Sequence, residues 1–345
     1  IRSILRTEKI DAIWIMTDPR FWGWLWSMEN EIRPLCPIVY YHVWDNYPYP
    51  HYNKQYYISN DHIATISKVS DDIVKTVAPE VDSTYIPHAV NGEFFKPLEL
   101  HQIEKIREDT LPPGDRKKVI FFWNNRNARR KQSGTLIWWF KEWLDKHDLH
   151  EKAQLIMHTE PKDPHGQDLN HIAEHLDLNN RQILFSTQKV PLEAMPKFYN
   201  VADVTVNISD AEGFGLATLE SLSCGTPIIA TMTGGLQEQV VGNLGMNGIG
   251  LYPSSKAIIG SQQVPYIYED RISKKAFMAA MDQMYDGGEE FRQELGSNGR
   301  KHVLDNYNFE TFNEKWVNLM LKVYEEEGSW DTRKSFNGVR FKEVA

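Results

Sequence analysis

The alternation of hydrophobic and polar positions predicts a repeated strand and helix pattern in most of the chain. From about residue 117, short apolar runs alternate with amphipathic stretches, in the order KVIFFW, GTLIWWFKEWLDKH, AQLIM, DLNHIAEHL and QILFS. The alternation continues through PLEAMPKFYNVA, DVTVNI, GLATLESLSC and TPIIAT. Because strands joined by crossover helices form a parallel sheet, this part predicts a doubly wound α/β domain. Its ligand site is expected at the carboxyl ends of the strands.

The amino-terminal part shows the same alternation in a shorter form. DAIWIM, PIVYYHV, HIATIS and STYIPH are typical of strands, and SDDIVKTV is typical of a helix. The segment IPHAVNGEFFKP carries Pro87, Gly92 and Pro97, so we place a domain boundary near residue 97.

Two long helical patterns close the chain, at roughly 271–304 and 309–326, before a charged tail. The predicted domains are therefore 1–97 and 98–308, followed by a terminal helix and tail at 309–345. The segment from Gly242 to Asp270 is rich in Gly, Ser and Gln and long for a loop, which indicates either a functional insertion or a loosely ordered one.

Length and charge narrow the class of protein. At 345 residues the chain exceeds the size at which a single core usually keeps growing, so two domains are expected. A net charge of −9 gives no general attraction to nucleic acid or to an anionic membrane. Cys36 and Cys224 are far apart and lack CxxC spacing, which argues against a disulfide framework and a cysteine zinc site. No run approaches the roughly 20 apolar residues that span a bilayer. We expect a cytoplasmic protein, with peripheral membrane contact left open.

One candidate ligand site lies in NISDAEGFGLATLESLSC, where a predicted strand ends at Ser209 and a predicted helix begins near Gly215. Gly213 and Gly215 permit close approach to the backbone, and the open amides of a helix start attract phosphate or hydroxyl oxygens. Glu212 and Glu220 place two carboxylates toward one cleft, which suits a polyhydroxyl ligand. For an arbitrary pair of glutamates, a helix-start charge and a solvated residue would be the more common interpretation.

A second candidate site is the cation-rich loop in FFWNNRNARRKQ, which follows a predicted strand and precedes a helix. Arg126, Arg129, Arg130 and Lys131 repel one another, so they indicate either a bound anion or a solvated surface. A third is TMTGGLQEQV, where Gly234 and Gly235 open a helix after a strand.

These motifs resemble those of the retaining GT-B glycosyltransferases of family 4. The segment EGFGLATLE resembles the E-x7-E motif of that family, and the flanking ADVTVNISDAEGFG and CGTPIIA extend the agreement. The resemblance implies two Rossmann-like domains facing a cleft, with a carboxy-terminal helix that crosses back to the first domain. Family members usually begin with strand, Gly-rich loop and helix units ahead of a strand like DAIWIM, so the amino-terminal domain is expected to lack its first strands.

The resemblance also implies roles for individual residues. Glu220 would bind the ribose hydroxyls of a nucleotide diphosphate sugar, and Glu212 would contact the hydroxyls of the sugar. Arg126 and Lys131 would bind the diphosphate, with Arg129 and Arg130 accessory or exposed. The remaining donor-binding residues that it implies are Gly213, Phe214, Gly215, Gly234, Gly235, Gln188 and Val190.

His42 is the candidate from the amino-terminal part, because it lies just beyond the strand in PIVYYHVWDNYP, with Asp45 as a weaker companion. In the family a His after this strand lines the cleft, so His42 would contact the sugar or the acceptor. An ordinary surface histidine is the alternative.

The sequence thus predicts a metal-independent glycosyltransferase that moves a sugar from a UDP, GDP or ADP sugar to an unidentified acceptor with retention of configuration. Glycan, lipid, protein and nucleic acid acceptors stay open. The alternatives are a nucleotide-sugar epimerase on the same fold and a non-catalytic nucleotide-binding remnant. No metal site is predicted, because His171 and His175 lack the acidic residue of an HExxH motif.

Overall fold

The computed structural model describes residues 1–178, 180–334 and 336. Contacts divide the chain into two compact units. Unit 1 comprises Ile1–Pro87, Ile258–Tyr268 and Glu310–Ala345, and unit 2 comprises His88–Ala257 and Glu269–Phe309. These contact-based units do not decide the predicted domain limits at residues 97 and 308, which stay a prediction, and most of the predicted tail lies outside the described residues.

Unit 1 is built on a four-stranded parallel sheet. Its elements before Pro87 are α1 (Arg2–Thr7), β1 (Ile13–Thr17), α2 (Gly23–Trp26), α3 (Glu29–Ile32), β2 (Ile38–His42), α4 (Lys54–Ile58), β3 (His62–Thr65), α5 (Lys68–Val77) and β4 (Ser83–Tyr85). The strands lie in the order β1-β2-β3-β4. All residues of β2 and β3 are buried, as expected for parallel strands covered on both faces. The four strands predicted in this part are confirmed.

Unit 2 contains the larger sheet. Its elements are α6 (Leu100–Thr110), β5 (Val119–Asn124), α7 (Ser133–His147), β6 (Ala153–His158), α8 (Leu169–His175), β7 (Ile183–Ser186), α9 (Met195–Val201), β8 (Val204–Asn207), α10 (Leu216–Ser223), β9 (Ile228–Thr231), α11 (Gln237–Val240), β10 (Val241–Gly242), β11 (Gly245–Met246), β12 (Gly248–Leu251), α12 (Lys274–Asp286) and α13 (Gly288–Asn306). The strands β13 (Ser255–Ile259) and β14 (Ile267–Arg271) have residues in both units, and α14 (Phe309–Glu327) closes the series.

Six parallel strands form the sheet of unit 2 in the order β12-β9-β8-β5-β6-β7. The sequence order reverses direction at β5, which is the topological switch of a doubly wound sheet. Strand residues such as Phe121 and Leu155 pack with Trp143 of α7 and Phe277 of α12 in one core. The predicted α/β class is therefore confirmed.

One predicted helix is two helices in the structure. The pattern at roughly 271–304 predicts a single helix, but α12 ends at Asp286 and α13 begins at Gly288. Gly288 has φ +71°, a left-handed conformation that a continuing α-helix does not contain. The apolar periodicity runs through this break, which explains why the pattern alone conceals it.

The segment from Gly242 to Asp270 is largely regular. β12 joins the main sheet, and β13 and β14 form a separate two-stranded ribbon, which we call the 255–271 ribbon. Its outer part, 258–268, belongs to unit 1, where Val264 is 7% exposed in the core cluster. The hydroxyl of Tyr52 donates to the carbonyl of Tyr266 at 2.8 Å.

Shortening Val264 to alanine is expected to lower the free energy of unfolding of unit 1 by about 1–2 kcal/mol, because the removal of two buried methyl groups leaves a cavity. Urea unfolding followed by tryptophan fluorescence measures this. Ile258→Ala is the matched control, since Ile258 is in the same ribbon but 72% exposed. If Val264→Ala changed the free energy of unfolding as little as Ile258→Ala, Val264 would contribute nothing to the core of unit 1.

Candidate active site

The candidate site lies at the carboxyl edge of the sheet of unit 2. β5, β6, β8 and β9 end at Asn124, His158, Asn207 and Thr231, and the loops that follow them emerge at the same edge because the strands are parallel. Three of these loops are the cation-rich loop after β5, the segment around Glu212 between β8 and α10, which we call the Glu212 loop, and the turn at Gly234 and Gly235 after β9, which we call the Gly234 turn. The sheet therefore gathers sequence segments that are about a hundred residues apart.

Two glycine-containing turns pack against each other at this edge. Gly215 precedes α10 with φ +92°, and a Cβ atom there would lie 2.5 Å from Leu236 Cδ2. A Cβ atom on Gly235 would lie 2.6 Å from the Cα atom of Phe214. The amide of Gly235 donates to the carbonyl of Glu212 at 3.1 Å. Glycine is thus favoured at 215 by the left-handed backbone conformation, and at 235 by the close approach of the Phe214 backbone.

Lys131 and Glu212 form an ion pair at the centre of the site. The Lys131 ammonium donates to Glu212 Oε2, and both side chains are largely buried, with 9% and 12% exposure. Burial alone would raise the pKa of Glu212, but Lys131 and Arg130 outweigh it and hold that pKa below its usual value. Glu212 is therefore a carboxylate at neutral pH, next to a fixed cation.

Arg126 and Arg130 have further partners, although Arg130 also lies 4.0 Å from Glu212. Arg126 donates to both oxygens of Asp163, at 2.7 and 3.1 Å, and its side chain is 60% exposed. Arg130 donates to the carbonyl of Ala211. The structure thus brings Lys131, but not Arg126, into direct contact with Glu212.

Glu220 lies on α10 and is partly buried. The Tyr199 hydroxyl donates to Glu220 Oε2 at 2.6 Å, and Asn124 Nδ2 donates to that hydroxyl at 2.8 Å. Burial raises the pKa of Glu220, and the bond from Tyr199 partly opposes this. Tyr199 and Asn124 are absent from the sequence-based site. Asn124 lies in FFWNNRNARRKQ, but the sequence marks only the cations of that segment as candidates, and Tyr199 lies in a predicted helix without a candidate residue.

The remaining donor-side candidates differ in exposure. Gln188 is exposed and Val190 half-buried in the loop after β7, at the same edge. Phe214 is 3% exposed, and its ring makes edge contacts with His88 and Tyr307. Its side chain is thus interior, which leaves its backbone for the predicted role.

His42 lies in unit 1, at the end of β2, and is fully buried. Its Nδ1 is 2.9 Å from the Tyr40 hydroxyl and its Nε2 is 3.0 Å from the Tyr57 hydroxyl. Burial lowers the pKa of His42 to about 3, so the ring is neutral at physiological pH. Both ring nitrogens have protein partners, and the predicted contact with sugar or acceptor stays a prediction.

A buried charge cluster beside the site is also absent from the sequence-based prediction. Asp210 and Glu269 are 3% and 2% exposed, and Arg271 bridges them, with N–O distances of 2.6 and 3.2 Å. Glu269 and Arg271 come from the 255–271 ribbon, where no motif marks them.

The described residues contain neither a metal-binding group of side chains nor a helix suited to cross a membrane. Within residues 1–178, 180–334 and 336, no three His, Cys, Asp or Glu side chains are grouped so that they could hold a metal ion. Over the same part of the chain, no helix combines the length and the apolar content that crossing a membrane requires.

The comparison with protein families defines the class. The family described as glycosyl transferases group 1 matches residues 102–302, which is more than half of the chain. The chain therefore belongs to the glycosyl transferases group 1 family. The match contains the cation-rich loop, the Glu212 loop and the Gly234 turn.

Curated relatives agree over shorter segments. The chain is 32% identical over 160 residues to a D-inositol 3-phosphate glycosyltransferase of Corynebacterium jeikeium, which is 46% of this chain and 37% of the relative. It is 29% identical over 136 residues to an uncharacterized glycosyltransferase of Methanocaldococcus jannaschii, which is 39% of this chain and 30% of the relative. The chain thus spans about a third of the length of these relatives.

Solved structures share the fold over most of the chain. The sucrose-phosphate synthase of Thermosynechococcus elongatus has a TM-score of 0.67 at 20% identity, covering 90% of this chain and 74% of that one. Anabaena Alr3699/HepE in complex with UDP and glucose has a TM-score of 0.64 at 16% identity, covering 83% and 72%. These likenesses establish a GT-B fold with two Rossmann-like domains.

Proposed function

We propose that this chain transfers a sugar from a nucleotide diphosphate sugar to an acceptor with retention of configuration. The observation that carries the proposal is the Lys131–Glu212 ion pair beside the glycine-lined start of α10, with Glu220 farther along the same helix. A fixed cation next to a carboxylate matches a donor whose anionic diphosphate adjoins a hydroxyl-rich sugar.

Each group of the donor has a proposed partner. Lys131 and Arg126 bind the diphosphate, and amides of the turns at Gly215 and Gly235 approach the donor. Glu212 accepts hydrogen bonds from sugar hydroxyls. Glu220 accepts them from the ribose, where the Tyr199 hydroxyl orients its carboxylate.

The same groups account for the chemistry. Breaking the bond between the anomeric carbon and the diphosphate oxygen leaves negative charge on the diphosphate, which fixed cations stabilise. The departing phosphate oxygen takes the proton of the acceptor hydroxyl. The acceptor oxygen bonds to the anomeric carbon on the face that the phosphate leaves, so the configuration is retained. The reaction is proposed to be metal-independent, so a chelator should leave its rate unchanged.

UDP sugars are the first donors to test. One structure of Anabaena Alr3699/HepE is a complex with UDP and glucose, and another is a complex with UDP-glucose. This supports a nucleotide sugar as the donor of the present chain, while GDP and ADP sugars stay in the assay.

The test incubates the full chain with UDP-glucose, GDP-mannose and ADP-glucose, with and without glycan, lipid, peptide and RNA acceptors. Mass spectrometry identifies the products, and NMR of the new anomeric centre reads its configuration. A glycosylated acceptor with retained configuration supports the proposal. An isomerised sugar without any acceptor would instead identify an epimerase, and nucleotide binding without turnover of any donor would identify a non-catalytic protein.

Glu220→Gln is expected to weaken UDP binding about 10- to 150-fold, since hydrogen bonds to a charged group contribute about 1.5–3 kcal/mol. The glutamine oxygen still accepts from Tyr199, so the fold should be kept. Calorimetry with UDP measures the affinity without need of an acceptor. Glu174→Gln, an exposed carboxylate on α8, is the control. Unchanged affinity in a folded Glu220→Gln variant would remove Glu220 from the donor site.

A further inference from the structure

The base of the 255–271 ribbon is bonded to both loops that carry the central ion pair. Glu269 accepts from both terminal nitrogens of Arg129, at 2.8 and 2.6 Å. Asp210 accepts from Gln132 at 2.5 Å and pairs with Arg271 at 2.6 Å. All five residues belong to unit 2.

Main-chain bonds join the same three segments. The amide of Asp210 donates to the carbonyl of Arg130 at 2.8 Å, and the amide of Asp270 donates to the carbonyl of Asp210 at 2.9 Å. The loop after β5, the loop after β8 and the end of β14 are thus connected through Asp210. Because the connection uses both backbone and buried side chains, its geometry is closely determined.

The cluster brackets Lys131 and Glu212 along the chain. Lys131 lies between Arg129 and Gln132, which are hydrogen-bonded to Glu269 and Asp210 respectively. Glu212 lies two residues after Asp210. Gln132 has φ 55° and ψ 33°, a left-handed conformation that a residue with a side chain adopts only where its surroundings impose it. The side-chain Nε2 of Gln132 donates to Asp210, and its Oε1 accepts from the Thr135 hydroxyl at 2.7 Å. These two side-chain bonds hold Gln132 in the left-handed conformation.

We infer that Glu269 and Arg271 are positioning residues, which hold Lys131 and Glu212 in place by fixing Arg129 and Asp210. The inference rests on the proposed function. It assigns a role to a ribbon that lies outside every motif of the sequence. Arg129, whose side chain is 56% exposed, then links the cation-rich loop to Glu269 through its ion pair.

The cluster also contains a carboxyl group, that of Asp210, whose protonation should affect the site. Burial raises the pKa of Asp210 to about 6; Gln132 and Arg271 lower it, and the neighbouring Glu269 raises it. The charged groups that face Asp210 are Arg271, Glu269 and Arg129. Protonation of Asp210 below pH 6 weakens its bonds to Arg271 and Gln132, so turnover should fall on the acidic side.

The experiment measures hydrolysis of UDP-glucose by the full chain, as kcat and KM across pH 5 to 8. Glu269→Gln and Arg271→Gln are each expected to lower kcat about 10- to 100-fold and to raise KM for UDP-glucose as well, since Lys131 and Glu212 are proposed both to bind the donor and to act in its turnover. In Glu269→Gln the acidic limb should also move to lower pH, because a negative neighbour of Asp210 is gone.

Asp115→Asn is the matched control. Asp115 is a 4% exposed carboxylate of unit 2 that pairs with Lys118 and Arg181, each at 3.0 Å. It precedes β5 and Arg181 precedes β7, so this cluster lies at the opposite, amino edge of the sheet. A comparable loss of thermal stability with wild-type kcat is expected.

The outcomes separate the inference from the proposed function. If wild type hydrolyses UDP-glucose while Glu269→Gln and Arg271→Gln retain its kcat and its acidic limb, the inference alone is overturned. An equal fall of kcat in Asp115→Asn would also overturn it, since general destabilisation would explain the loss. Absence of turnover in wild type with all three donors would overturn the proposed function, and the inference with it.

Discussion

Lys131→Met is expected to lower the rate of donor turnover about 10²- to 10³-fold, the usual effect of removing one group that stabilises charge in the transition state. Lys131 is the buried cation at the carboxyl edge, and methionine keeps its apolar stem while removing its charge. The measurement is kcat/KM for the donor that the wild-type chain uses. Turnover near the wild-type rate in the folded variant would exclude Lys131 from the reaction.

A stability effect accompanies this change and must be separated from it. Removing Lys131 leaves Glu212 largely buried without its closest cation, which costs about 3–5 kcal/mol for a buried pair. Lys131→Met with Glu212→Gln removes that charge and should recover most of the lost stability while turnover stays low. Lys141→Met is the control, because Lys141 pairs with the half-exposed Asp145 on the outer part of α7.

His42 is expected to make the free energy of unfolding fall by about 2 kcal/mol between pH 7.5 and 5.0. The pKa of His42 is about 3 in the folded chain against an ordinary value of 6.5. Below pH 6.5 the unfolded chain binds a proton that the folded chain does not, so the stability is present at neutral pH and is lost as the pH falls. Urea unfolding at a series of pH values measures this dependence.

The matched variant is His42→Gln, which keeps groups that hydrogen-bond Tyr40 and Tyr57 but cannot titrate. Its unfolding free energy should vary about 2 kcal/mol less over the same pH range. Some dependence will remain, because burial also lowers the pKa of His62 and of His88 to about 4. His171→Gln, at an exposed position of α8, should leave the dependence unchanged. A His42→Gln variant with the full wild-type dependence would contradict the buried neutral state.

The strands of unit 2 could be predicted because burial on both faces makes them continuous apolar runs. DVTVNI contains β8, and its four strand residues are all buried. The loops after parallel strands emerge at the same edge of the sheet, so the sequence alone predicts Lys131 and Glu212 at one edge. Local patterns therefore identified both partners of the central ion pair.

The supporting cluster could not be predicted in this way. Arg129 and Glu269 are 140 residues apart, and the pairing leaves no periodicity in either segment. The ribbon that supplies Glu269 is rich in polar residues, so its pattern resembles a loose loop, and its few apolar residues, such as Val264, form no regular repeat that would predict a core contact. Such contacts are properties of the folded chain rather than of any window of sequence.

The composition of unit 1 bears on how the chain folds during synthesis. Its sheet is complete by Tyr85, yet its core also requires Val264, and Trp316 of α14 packs against Trp14 and Tyr41. These residues leave the ribosome only after nearly all of unit 2. The strands of unit 1 are therefore made before the residues that complete its core, so part of their apolar surface stays uncovered while the intervening residues of unit 2 are made.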